Sequence, residues 1–261
     1  MTRVRLRTGQ RQNILTRMGI VLLLIPSVGR GQGSQPAQEL LRQFENTRVF
    51  WQQFEVAKAL VAAHDDTILP KLEPWLTVDD RLSRGNAAFV FAGLGDPKGF
   101  DTIVAILNDR SERTPGQGAI VFHTGPDLGT DTKLLVAAEI RQDRYYAAHL
   151  LGDLKDPRAV PILVRLLQDP DVKDIVPWSL GQIGDKSANP ALIGALNDSN
   201  PNTRVLTIYA LQQLGATEAL PRLRELLDDT RRSTFRGQVA VSEAARAAID
   251  KLESQPAPVR K

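Results

Sequence analysis

Apolar residues recur along much of the chain at spacings of three and four, the pattern of helices with one buried face. The clearest stretch, residues 144–169, reads RYYAAHLLGDLKDPRAVPILVRLLQD. It predicts a helix rich in small residues, a turn at Asp156 and Pro157, and a second helix opened by Pro161. Aspartate and proline favour turns, and a proline in the first helical turn needs no N–H partner.

The same pattern returns about every thirty residues, so the chain is built from repeats. Leu151 aligns with Leu60, Phe91, Leu180 and Leu211, and the turn and proline positions follow in register. A period of this length that holds two helices predicts a solenoid, because one helix pair cannot bury both of its apolar faces alone.

These residues resemble the HEAT repeat in its short bacterial form, named for phycobilisome lyases, whose consensus carries AAxxLGxLxDPxAVPxLxxLL. The resemblance covers roughly residues 53–252. It implies an all-α, right-handed α-solenoid (an armadillo-like superhelix) of about five to six HEAT-like helix pairs, with an irregular insertion. The family includes scaffolds, chaperone-like binders, lyases and metal hydroxylases, so the resemblance alone does not decide function.

The chain divides into a leader, a solenoid and a tail. Arginines followed by a short apolar run predict a signal peptide over residues 1–31, followed by a polar linker over 32–38. The solenoid is expected over 39–253 and a disordered tail over 254–261. The leader favours export to a periplasmic or extracellular location, without stable membrane insertion after cleavage. The alternative is a cytoplasmic protein with a misplaced start codon.

One region breaks the repeat pattern. Between Asn108 and Asp143 the register steps by twice the usual length, and the part over 112–131 is rich in glycine and proline. It would be either a degenerate repeat or a loop inserted into the solenoid, with function or with none.

The basic charge of the chain belongs to its leader. The net charge is +3, but residues 1–31 hold six arginines and no acidic residue. Without them the chain has 27 basic and 30 acidic residues. The predicted solenoid therefore offers no electrostatic basis for binding nucleic acid.

The residues give no sign of an active site. His64, His123 and His149 are far apart, there is no cysteine, and there is no His-Glu dipeptide of the kind that binds iron in HEAT-like deoxyhypusine hydroxylases. Aspartates that recur after the second helices, at Asp169 and equivalent positions, are expected to cap turns. No catalytic residue, metal or cofactor is therefore predicted.

Aromatic residues at matching repeat positions form the best candidate for a binding surface. A ladder along the first helices would serve an apolar or peptide ligand if exposed, or fill the core if buried. The candidate residues are Phe89, Tyr145, Tyr146, His149, Trp178 and Tyr209.

The sequence thus favours a non-catalytic scaffold that binds a protein or peptide through a curved helical surface. The alternative is a lyase-like or metal-dependent HEAT-repeat enzyme that handles a cofactor or chromophore.

Overall fold

The computed structural model describes residues 34–112, 132–234 and 238–254, all within one compact unit, Gly33–Lys261. The described secondary structure is helical apart from an isolated bridge between Arg232 and Ala240. The α-helices are α1 Ser34–Asn46, α2 Phe50–Ala63, α3 Leu69–Leu72, α4 Arg81–Gly93, α5 Pro97–Asn108, α6 Thr132–Leu154, α7 Val160–Arg165, α8 Val176–Ile183, α9 Asn189–Ala195, α10 Pro201–Leu214, α11 Leu220–Glu225 and α12 Val241–Glu253. None of these helices is long and apolar enough to cross a membrane.

The helices form two layers, as in a solenoid. In the first layer α2, α4, α6, α8, α10 and α12 each pack on the next. The second layer holds the shorter helices α3, α5, α7, α9 and α11, most of them preceded by a turn of 3-10 helix. The described residues therefore contain five helix pairs between α1 and α12, and the predicted all-α solenoid is confirmed.

Local chemistry explains the break between the two helices of a pair. The Oδ1 atoms of Asp96, Asp156 and Asp185 each accept a hydrogen bond from the backbone N–H two residues further on. Prolines such as Pro161 then occupy the first turn of the second helix, where the missing N–H costs nothing. The predicted turns and helix starts are thus confirmed.

Small residues let the first helices approach closely. A Cβ atom on Gly152 would lie 2.7 Å from the Cα atom of Ser179 on α8, and one on Gly181 would lie 3.0 Å from Cα of Ala210 on α10. These two glycines occupy the same repeat position. The close contact between successive repeats therefore depends on the absence of a side chain there.

The aspartates after the second helices cap turns and also tie neighbouring repeats together. Asp169, Asp198 and Asp229 each accept the backbone N–H two residues further on, as expected. Each also pairs with a basic side chain: Arg144 with Asp169 at 2.6 Å, Lys173 with Asp198 at 2.8 Å, and Arg204 with Asp229 at 3.0 Å. Burial alone would raise the pKa of Asp169, but hydrogen bonds, that from Arg144 first, and the positive charges of Arg144 and Arg110 hold it below its usual value.

In the irregular region, α4 and α6 pack directly on each other. Arg81 of α4 pairs with the fully buried Asp143 of α6 at 3.4 Å, and a Cβ atom on Gly85 would lie 2.9 Å from Leu150. No helix pair of the described chain lies between them. Helix α6 also runs unbroken from Thr132, so it extends the first helix of this repeat at its N-terminal end.

The limits of the solenoid differ from the expected ones at the N-terminus. Helix α1 begins at Ser34, inside the stretch predicted as a linker, because Ala37, Leu41 and Phe44 share one buried face. The predicted leader, the insertion beyond Glu112 and the tail beyond Ser254 lie outside the described residues.

Candidate functional site

Aromatic side chains from three first helices meet on one face of the solenoid. Phe50 and Phe54 belong to α2, Phe89 to α4, and Tyr146 and His149 to α6. The ring centroids of Phe54 lie 4.9 Å from Phe89, 6.0 Å from Tyr146 and 6.3 Å from His149. Phe50 lies 5.1 Å from Tyr146, which stacks on His149 at 6.4 Å. We call these five residues the aromatic cluster.

The aromatic cluster joins three helices of the first layer. Helices α2 and α6 both pack against α4. Rings on α2 also touch rings on α6, at Tyr146 and His149. The aromatic cluster therefore links α2 directly to α6.

A network of buried hydrogen bonds holds Tyr146 of the aromatic cluster in place. The hydroxyl of Tyr146 donates to Oδ1 of Asn86 at 2.5 Å, and Nδ2 of Asn86 donates to Oε1 of Gln53 at 2.9 Å. Gln53 in turn donates to the carbonyl of Phe44 at 3.2 Å. Burial, and then the charges of Asp153 and other nearby carboxylates, raise the pKa of Tyr146 well above its usual value, so the phenol stays a neutral donor. Since Gln53 and Asn86 are fully buried and hydrogen-bonded, the network fixes α2, α4 and α6 in register.

Charged side chains lie at the edge of the aromatic cluster. Nζ of Lys58 lies 5.1 Å from the ring centroid of Phe54 and 2.7 Å from Oε1 of Glu55. On α6, Nδ1 of His149 lies 3.4 Å from Oδ2 of Asp153. This contact lacks the geometry of a hydrogen bond, and the buried Nδ1 atom has no hydrogen-bond partner among the described residues. Burial is the main cause that raises the pKa of Asp153, against the lowering effect of His149 and Lys58.

The structure brings together three of the six aromatic residues that the sequence predicts as a ladder. Phe89, Tyr146 and His149 belong to the aromatic cluster, although Phe89 is only 5% exposed. Trp178 on α8 and Tyr209 on α10 are half-buried and pack against the core. Tyr145 is partly buried and packs against the core, and burial and the charge of Asp174 raise its pKa to about 12.

Several members of this site are not among the residues predicted from the sequence. Helical spacing marks Phe50 and Phe54 only as apolar positions of the first helix. Asp153 follows His149 by four residues, which places the two on one helix face, so a signal for this pair is present in the sequence. Gln53 and Asn86 carry no signal of their own, because their partners are far away in sequence.

The site does not have the ligands of a metal centre. The described residues contain no group of three or more histidine, cysteine, aspartate or glutamate side chains able to hold a metal ion. His64 is exposed at the C-terminal end of α2, and His123 lies outside the described residues. An iron site of the hydroxylase type therefore does not fit the described part of the chain.

Comparisons with known proteins identify the repeats. The family model for HEAT repeats matches residues 169–242, and the model for the PBS lyase HEAT-like repeat matches residues 143–169. Residues 143–242 of the chain are therefore HEAT repeats. Tyr146, His149 and Asp153 of the site lie within the PBS lyase HEAT-like repeat.

Curated relatives share only part of this HEAT-repeat protein. Deoxyhypusine hydroxylase of Gallus gallus is 34% identical over 124 residues, which are 46% of this chain and 39% of that protein. The bilin biosynthesis protein PecE of Mastigocladus laminosus is 34% identical over 87 residues, 32% of each chain. The chain thus spans about a third to two fifths of these relatives.

These names correct one expectation from the sequence. The prediction that the protein is not an enzyme is wrong, because relatives with the same repeats are named as a hydroxylase and as bilin biosynthesis proteins. The alignment with the structure of human deoxyhypusine hydroxylase in complex with glycerol covers 86% of this chain and 93% of the hydroxylase chain. Its TM-score is 0.36 at 19% identity, too low to carry an argument about function.

Proposed function

We propose that this HEAT-repeat protein handles a chromophore: it binds an open-chain tetrapyrrole of the bilin class on the aromatic cluster and acts on it together with a protein partner. The observation that carries the proposal is the aromatic cluster with its charged edge. Two of its members, Tyr146 and His149, lie in the repeat that matches the PBS lyase HEAT-like model. The relatives named for bilin biosynthesis support the same chemical class.

The residues present fit such a ligand. A bilin is a conjugated system with ring nitrogens and carboxylate side chains, and it supplies the colour and the electrophilic carbon framework. Phe50 and Tyr146, which are both partly exposed, would pack against its rings, as aromatic side chains do in ligand sites. The other two phenylalanines of the aromatic cluster are buried and support them from the core. Lys58 would pair with a carboxylate of the ligand, and the partly exposed ring of His149 would lie beside the ligand's ring nitrogens.

The protein partner would dock on the rest of the first-helix layer. Trp178 and Tyr209 lie on α8 and α10, which continue this layer beyond α6. Both side chains are half-buried, so each leaves part of its ring for contact. We propose that this region contacts a protein or peptide while the ligand lies on the aromatic cluster.

Binding of biliverdin to the full chain tests the proposal. Biliverdin absorbance and tryptophan fluorescence would be followed during titration, since Trp51 lies 5.2 Å from Phe50 of the aromatic cluster. We expect saturable binding, weakened about tenfold by Lys58→Ala, which corresponds to about 1.4 kcal/mol.

Lys98→Ala is the matched control. Lys98 also pairs with a glutamate, Glu73 at 2.6 Å, but lies on α5 in the second layer. We expect this variant to bind like the wild type. Absence of saturable binding, or equal loss in the two variants, would overturn the proposed function.

Export is also proposed, on the basis of the leader alone. N-terminal sequencing of the native protein tests it. A mature start near Gln32 is expected, and a retained Met1 would contradict it.

A further inference from the structure

Asp153 differs from the aspartates that cap the turns of the repeats. Asp96, Asp156, Asp169 and Asp229 each accept backbone hydrogen bonds that cap a turn. The carboxylate of Asp153 accepts no hydrogen bond from the described residues, and its one ion-pair contact among them is with His149 at 3.4 Å. Turn capping therefore does not explain this carboxylate, although a carboxylate that is mostly buried is costly to keep.

The surroundings of Asp153 place it between charges of both signs. His149 precedes it by one turn of α6, and Lys155 follows it. From α2, Lys58 and Glu55 face it. Its side chain is 25% exposed and that of His149 is 30% exposed, so both reach the surface beside the aromatic cluster.

We propose that Asp153 and His149 form a proton-transfer pair that protonates a ring nitrogen of the ligand bound on the aromatic cluster. This inference rests on the proposed function. The proton of the Asp153 carboxyl group moves to the basic nitrogen, which leaves a carboxylate beside the new cation. Neutral His149, with its proton on Nδ1, then takes a proton from water at Nε2 and releases the Nδ1 proton to Asp153, once a small side-chain rotation aligns the two groups that lie 3.4 Å apart. The hydroxide formed leaves to solvent, and proton exchange with water restores the starting tautomer of His149.

The direct test is the protonation of bound biliverdin as a function of pH, followed by its absorbance. In the wild type the protonated form should persist to a higher pH than for free biliverdin. Asp153→Asn should lower the midpoint by at least one pH unit while the dissociation constant changes less than threefold. Asp250→Asn, an exposed position on α12, is the matched control and should behave as the wild type.

A second measurement needs no ligand. Burial raises the pKa of Asp153 in the folded state. The free energy of unfolding therefore falls as the pH rises through this raised pKa, because the folded protein must then hold a partly buried carboxylate. Asp153→Asn stays neutral and should therefore resist urea better than the wild type at pH 8, with a smaller advantage at pH 5. The Asp250→Asn control should show no such trend.

The outcomes separate the two proposals. Lack of biliverdin binding by the wild type would overturn the proposed function and the proton transfer with it. Binding with the same protonation midpoint in Asp153→Asn would overturn the proton-transfer pair alone. Equal urea resistance of wild type and Asp153→Asn at pH 8 would overturn it as well.

Discussion

Replacing Gly152 by alanine tests the contact that joins α6 to α8. The added methyl group would lie 2.7 Å from Cα and 2.9 Å from Cβ of Ser179. Neither atom is the end of a flexible side chain, so one helix must move to accommodate it. The repeat on α8 would shift relative to the repeat that carries the candidate site.

The magnitude follows from two opposing effects. Overpacking of a close contact costs about 1–3 kcal/mol. Replacing glycine in a helix gains about 0.5–1 kcal/mol, and the gain is at the lower end near the C-terminal end of α6. We therefore expect Gly152→Ala to lower the free energy of unfolding by about 1–2 kcal/mol.

Gly194→Ala is the control. Gly194 lies in α9, and no atom lies within 4 Å of the position that its Cβ would take, so alanine should stabilise there by about 0.5–1 kcal/mol. Urea unfolding of both variants gives the two free energies, and each 1 kcal/mol should move Tm by about 2–4 °C. Gly152→Ala as stable as the wild type would refute the close packing of α6 on α8.

Three further predictions concern the buried polar groups. Arg144→Met should lower the free energy of unfolding by about 2 kcal/mol, since Asp169 and Asp171 lose the hydrogen bonds of their buried partner but keep Arg110; a loss below about 0.5 kcal/mol in urea unfolding would contradict this. Despite burial, hydrogen bonds and nearby arginines hold the pKa values of Asp109, Asp169 and Asp229 below the usual range. These carboxylates therefore contribute their full stabilisation above about pH 4, the usual aspartate pKa, and lose it as the pH falls through their lowered pKa values. Acid titration followed by circular dichroism should show unfolding in that range, and Asp169→Asn should reduce the pH dependence. Asn86→Leu should cost about 2 kcal/mol or more, because the Tyr146 hydroxyl, Oε1 of Gln53 and the carbonyl of Phe50 each lose a hydrogen bond, and an unchanged urea midpoint would argue against the network.

The fold is predictable because each repeat contains the residues of its own core. Apolar positions, Asp-Pro turns and first-turn prolines recur in register, and each acts through local physics. The ion pair of Arg144 with Asp169 cannot be predicted from such local signals, although a basic residue and an aspartate recur at these two positions in other repeats. Their pairing depends on how repeats stack, which a single repeat does not encode.

The candidate site is predictable only in part for the same reason. His149 and Tyr146 stand out in the sequence as aromatic residues at suitable positions. Their contacts with Phe50 and Phe54 depend on how α2, α4 and α6 stack on one another, and no spacing in the sequence reports that arrangement. Asp153 does not stand out, because aspartates near turns usually act as caps.

Hydrogen–deuterium exchange of the full chain with and without biliverdin tests the central claim most directly, because it locates the ligand. We predict slower exchange in α2 and in residues 143–154 of α6, with no change in α12. Unchanged exchange in α2 and α6 at saturating biliverdin, or protection confined to α10 and α12, would contradict the assignment of the aromatic cluster as the ligand site.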